Sequence, residues 1–111
     1  MNPRRLIAPA CVLALSAVAV GAQESATTAQ ERADHGRRMF MEQGCHGCHT
    51  VKTLGTPIGP DLSHVGAKYP ETYLKKWLRD PAEQRPAAHM PKLELTELQV
   101  AALAAFLSTL Q

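Results

Sequence analysis

The pentapeptide Cys45-His46-Gly47-Cys48-His49 carries two thiols three residues apart, with an imidazole directly behind the second. On a helical turn successive residues rotate by about 100°, so Cys45, Cys48 and His49 share roughly one third of the circumference. His46 and Gly47 point elsewhere. One face thus presents two sulfurs and one nitrogen to a single flat partner. Three chemistries use closely spaced thiols. A dithiol redox motif sits ahead of a helix inside a βαβ pattern, and no strand-rich segment is visible in this chain. A structural zinc site wants a second Cys or His pair at short spacing, whereas His64 and His89 are single and far apart. The third is covalent attachment of a c-type haem, for which C-x-x-C-H is the signature. In that reading the two thiols add to the two vinyl groups of one haem c, and His49 binds the iron from one side.

Upstream of the motif, residues 29–43 show a helical period. Ala29, Ala33, Gly36, Met39 and Phe40 fall on one face, with Arg37, Arg38 and Glu42 elsewhere. Gly36 stands mid-helix, where it costs about 1 kcal/mol relative to alanine. That cost predicts another helix passing very close to it. Gly44 ends this helix and leads into the haem motif. Residues 23–28 are small and polar and read as a loose N-terminus of the mature chain. Before them, Arg4 and Arg5 supply positive charge, Leu6 to Gly21 is mostly apolar, and Val20-Gly21-Ala22 offers small residues for a cut. Residues 1–22 therefore read as a secretory signal peptide cleaved after Ala22, leaving one domain over 23–111. As a helix the apolar run reaches about 24 Å, short of the ~30 Å hydrocarbon core, so no transmembrane span is expected in the mature chain. Arg4-Arg5 hints at twin-arginine export, but haem attachment outside the cytoplasm needs an unfolded chain, which favours the general secretory route. Either route places the domain in the periplasm.

Downstream, residues 52–66 are rich in Gly and Pro and read as loop. A second helix follows, with Pro70 in its first turn, Glu71 against the positive helix start and Asp80-Pro81 as its stop. Leu74, Trp77 and Leu78 line its apolar face. Residues 80–92 again read as loop, stiffened by Pro81, Pro86 and Pro91. Thr96-Glu97-Leu98-Gln99 is a capping-box pattern that opens a last helix running to about Leu110. Ala101, Ala102 and Ala105 form its narrow face, suited to a close approach to Gly36. Val100, Leu103, Phe106, Leu107 and Leu110 form its bulky face. No strands appear, and the chain reads as all-α.

A haem iron held by one His is open on its far side or closed by a second side chain. Met90 is the leading candidate, in a proline-stiffened loop and followed by Pro91. Its thioether favours ferrous iron and raises the potential relative to a second imidazole. His89, one residue earlier, is the rival. Met39 and Met41 belong to the first helix, and His35 and His64 read as surface residues. The chain has twelve Lys and Arg against ten Asp and Glu. Loss of Arg4 and Arg5 with the leader makes those counts equal, so nucleic-acid binding gets no support. From Cys45 to Lys92, however, seven basic residues face four acidic ones (Lys52, Lys68, Lys75, Lys76, Arg79, Arg85 and Lys92 against Asp61, Glu71, Asp80 and Glu83). That mild excess is either a positive rim that would steer acidic partners or simply a solvated mixed surface. The domain is near the lower size at which an apolar core suffices. Burying about 400 Å² of haem at ~25 cal/mol/Å² would add on the order of 10 kcal/mol as an upper figure. The haem-free chain is therefore expected to fold poorly.

In order along the chain, Gly36 and Phe40, the Cys45–His49 motif, Gly59-Pro60-Asp61-Leu62, Met90-Pro91 and Phe106 resemble class I c-type cytochromes, the small single-haem electron carriers. The resemblance implies a cytochrome c fold, three to four helices wrapped around one covalently attached haem, with the N- and C-terminal helices crossing. It implies thioethers at Cys45 and Cys48 and axial ligands at His49 and Met90. It also implies that the Pro60 carbonyl accepts the other ring N–H of His49, fixing its tautomer and raising its basicity. Tyr69 and Trp77 would donate to a haem propionate. The expected role is a periplasmic one-electron carrier between redox protein partners, taking electrons from a dehydrogenase or reductase and passing them to an oxidase, with no enzymatic activity of its own. The alternative is a haem c subunit of a larger respiratory oxidoreductase. The stretch Tyr73-Leu74-Lys75-Lys76-Trp77-Leu78-Arg79-Asp80-Pro81 resembles haem c domains attached to terminal oxidases, and the apolar last helix would offer such a partner a surface. A gas sensor or peroxidase would instead need an open sixth position.

Overall fold

The computed structural model describes residues 18–111, with side chains from Thr28 onward. The first helix, α1, spans Val18–Glu42. It begins upstream of the expected Ala29 and takes in residues 23–28, which the sequence pattern leaves as a loose terminus. Ala22, Gln23, Glu24 and Ala26 are good helix formers, and no proline lies between Val18 and Glu42 to break the run. Residues 1–17 of the expected leader lie outside the described residues. Gly44, at φ 76°, closes the helix end and opens a 3₁₀ turn over Cys45–Gly47.

Two short strands follow, β1 (Thr50–Val51) and β2 (Leu54–Gly55), paired antiparallel with Thr50 opposite Gly55 and Val51 opposite Leu54. The sequence pattern does not announce them, because two residues cannot display a period of two. The expected loops also contain two single-turn helices, α2 (Val65–Lys68) and α4 (Pro81–Gln84). Between them α3 spans Glu71–Arg79 with Pro70 as its N-cap. Asp80 ends α3 and starts α4 at once: its carboxylate accepts the Glu83 backbone N–H, and Pro81 takes the first helical position. The last helix, α5, spans Glu97–Ser108 behind a complete capping box of Thr96 and Gln99. The described chain is thus mostly helical, with five helices where three or four are expected.

The core forms where α1 and α5 meet. Ala33 and Phe40 of α1, Val65 of α2, and Leu74 and Leu78 of α3 are buried with most of α5. A Cβ on Gly36 would overlap the carbonyl of Ala102 and lie 2.7 Å from the Cβ of Phe106. The glycine is there because backbone passes against backbone. One turn further, Phe40 meets Phe106 edge-on at 5.6 Å between ring centroids. The bulky face of α5 is not left for a partner: Val100, Leu103, Phe106 and Leu107 are buried within the domain, as is Leu110, which lies just past the helix end rather than on it. Its exposed apolar residue is Leu98, in the first turn. Arg79 holds α3 to the start of α5 through both carboxylate oxygens of Glu97, at 3.0 and 2.8 Å. Among the described residues no helix is long and apolar enough to cross a membrane.

Candidate haem site

The Cys45–Gly47 turn places the thiols. The N–H groups of Cys48 and His49 both donate to the Cys45 carbonyl, at 3.2 and 3.0 Å. In a 3₁₀ turn residues three apart eclipse, which brings Cys45 and Cys48 to the same side. Cys45 is half-buried against the Phe40 cluster, Cys48 is exposed, and both are free thiols. Burial pushes the Cys45 thiol above its ordinary pKa, against a smaller opposing pull from its own backbone.

His49 is seated by the loop that follows β2. Its Nδ1 lies 2.7 Å from the Pro60 carbonyl oxygen. A carbonyl can only accept, so Nδ1 is the donor, and in the neutral ring Nε2 then keeps its lone pair. That is the tautomer a metal ligand needs. Gly59 lets the ring sit there, since a Cβ at that position would come within 2.8 Å of Cε1 and 3.0 Å of Nδ1. The Gly59 N–H donates to the Cys48 carbonyl and the Leu62 N–H to that of Thr50. The loop is therefore fastened on both sides of Pro60.

Met90 and its rival are separated by burial. His89 is exposed, whereas Met90 is half-buried. The indole N–H of Trp77 points at the Met90 sulfur, with Nε1 3.2 Å from Sδ. Trp77 thus has Met90 as its partner, a contact that sequence reasoning missed. The two residues are 13 apart in the chain, and only the fold of α3 against the 85–95 segment brings them together. Tyr69 is 39% exposed and stacks on Tyr73 at 4.8 Å, which in turn packs against Trp77 at 6.4 Å.

These residues fit a haem iron by their own chemistry. They supply two thiols on one turn, an imidazole with its far nitrogen free, and a thioether whose position is held by an indole. Among the described residues no group of three or more His, Cys, Asp and Glu is placed to hold a bare metal ion, so the thiols lack the further donors of a structural zinc site. The positive rim is partly neutralised. Lys75 pairs with Glu71 at 3.0 Å, Arg79 with Glu97 at 2.8 Å and Lys92 with Asp80 at 3.4 Å. Lys52, Lys68, Lys76 and Arg85 have no ion pair among the described residues.

The profile of the family described as Cytochrome c matches residues 33–111, a span that holds every one of these side chains. The chain belongs to the cytochrome c family. Membership carries haem-based electron transfer with it, and the donors at residues 45–49 are those that haem c requires. The chain is also similar to cytochrome c oxidase subunit 2 of Alkalihalophilus pseudofirmus, at 35% identity over 88 residues, 71% of this chain and 26% of that protein. It thus spans about a quarter of the length of this curated relative.

Proposed function

We propose that this chain is a periplasmic one-electron carrier that holds one haem c through Cys45 and Cys48, with His49 and Met90 as axial ligands. The observation that carries the reading is the His49 imidazole, one residue past the second thiol, with Nδ1 bound to Pro60 and Nε2 left to donate. Haem c, when bound, supplies one-electron exchange at its iron. Pro60 keeps the His49 ring in the ligating tautomer and makes it more electron-rich. Trp77 holds the Met90 sulfur through its indole N–H. Tyr69 keeps an exposed phenol for a propionate. The close approach of α5 to α1 at Gly36 supports the family's crossed terminal helices, with the remaining elements wrapped around the haem. Export through a leader over residues 1–22 draws its support from Arg4, Arg5 and the apolar run behind them. Redox proteins on either side would give and take the electron.

The similarity to an oxidase subunit 2 supports a second reading, a haem subunit inside a larger respiratory oxidoreductase. The burial of the bulky face of α5 weighs against that helix as the contact. Native extract separated by gel filtration and stained for haem distinguishes the two: a carrier elutes as a small protein, a subunit with its enzyme. The ligand set is tested by optical spectroscopy of oxidised protein and its Met90→Ala variant. The methionine-to-iron charge-transfer band at the red end is expected in the first and lost in the second. A band that survives Met90→Ala removes Met90 from the iron.

A further inference from the structure

The loop that seats His49 is tied to the segment carrying the haem motif by side chains as well as by backbone, the Asp61 carboxylate bonding to the Thr50 side chain. Segment 59–63 runs beside 48–52. Gly59 N–H donates to the Cys48 carbonyl, Pro60 O takes the His49 ring proton, and Leu62 N–H donates to the Thr50 carbonyl at 2.8 Å. The last tie is different: the Lys52 backbone N–H donates to the Ser63 hydroxyl oxygen at 2.6 Å. That hydroxyl is itself oriented. It donates its proton to Asp61 Oδ1 at 2.6 Å, and the Ser63 N–H donates to the same oxygen at 2.9 Å. With its proton committed to Asp61, the hydroxyl presents a lone pair to Lys52. Lys52 needs such a partner, because it stands at φ 55° in the hairpin turn, the left-handed region that a residue with a Cβ enters at a cost.

The Pro60 carbonyl belongs to the same peptide plane as the Asp61 nitrogen. It cannot turn away from His49 unless Asp61 turns with it, and the proline ring fixes φ on the other side. We propose that Ser63, oriented by Asp61, is a positioning residue: by fastening the Asp61 side of this plane to Lys52, it holds the Pro60 carbonyl on His49 Nδ1 and so sets how strongly His49 donates to iron. A firm N–H to carbonyl bond makes the imidazole a better donor. A better donor favours ferric iron, so loosening the tie raises the reduction potential. The inference rests on the reading of His49 as an iron ligand.

The test compares holo wild type with Ser63→Ala and Ser63→Thr. Ser63→Ala removes the hydroxyl and leaves the other ties, the Asp61–Thr50 bond among them, whereas Ser63→Thr keeps a hydroxyl at the same atom. Haem content, the reduction potential and the exchange rate of the His49 Nδ1 proton, followed by NMR in the reduced state, are measured on each. Ser63→Ala is expected to exchange that proton about fivefold faster, the factor one net hydrogen bond is worth, and to show a higher potential. Ser63→Thr is expected to restore both. A Ser63→Ala protein that is less stable but keeps the wild-type exchange rate and potential overturns the inference alone. If that variant does not accumulate with haem, Asp61→Ala, which releases the hydroxyl from its orienting partner, must shift both readouts in the same directions, and no shift overturns the inference. A wild type without haem overturns the ligand reading and this inference with it.

Discussion

Trp77 is the residue whose sequence reading and observed contact differ most usefully. The family resemblance implies a donor to a haem propionate, and in the fold its N–H reaches the Met90 sulfur. A thioether has two lone pairs, so one can meet iron while the other accepts this proton. With Met90 on the iron as proposed, the hydrogen bond would draw density from sulfur and make it a poorer donor to ferric iron. Trp77→Phe keeps the packing against Tyr73 and removes only the donor. Its reduction potential is therefore expected to fall, and a redox titration that finds it unchanged would mean that the indole does not act on Met90. The candidate set at residues 45–49 was legible because covalent chemistry dictates its spacing. The Pro60 contact was legible through resemblance alone. Ser63 and the Trp77 contact were not, because nothing in a run of sequence says which side chains a loop will bring within 3.2 Å.

Among the elements, α1 and α5 carry the stability and the long loops carry the site. Gly36 is costly in an isolated helix, and that cost correctly points to the close approach of another helix. Gly36→Ala restores about 1 kcal/mol of helix propensity but drives a methyl into the Ala102 backbone carbonyl, which has no rotamer through which to move aside. Overpacking of this kind costs about 1–3 kcal/mol, so the variant is expected to be less stable in denaturant titration. A midpoint equal to or above wild type would place the helices further apart than Gly36 requires. The start of α5 was readable from Thr96 to Gln99, because a capping box is local hydrogen bonding between residues three apart. The short strands, α2 and α4 were not readable, since each depends on neighbours rather than on its own few residues. Asp80 was read as a stop and is also a start, because one carboxylate ends α3 and caps α4.

At the scale of the whole molecule, the domain pairs a modest apolar core with loops that close on little of their own. Leu54 of β2 and Ile58 in the loop behind it are exposed. Removal of the haem is expected to leave a chain that unfolds at lower denaturant and with a shallower transition than the holo form, measured by far-ultraviolet circular dichroism. An apo transition as sharp as the holo one would mean that the α1–α5 core folds the domain unaided. The amino-acid order was enough to read the cytochrome c family's C-x-x-C-H motif and the helical class, because each depends on residues a few positions apart and bonds or periods of known geometry. Which face of α5 is buried, what the Trp77 N–H meets, and how residues 59–63 lie along 48–52 were settled by folding. Those contacts join residues distant in the chain, and their energies depend on where packing leaves each polar atom.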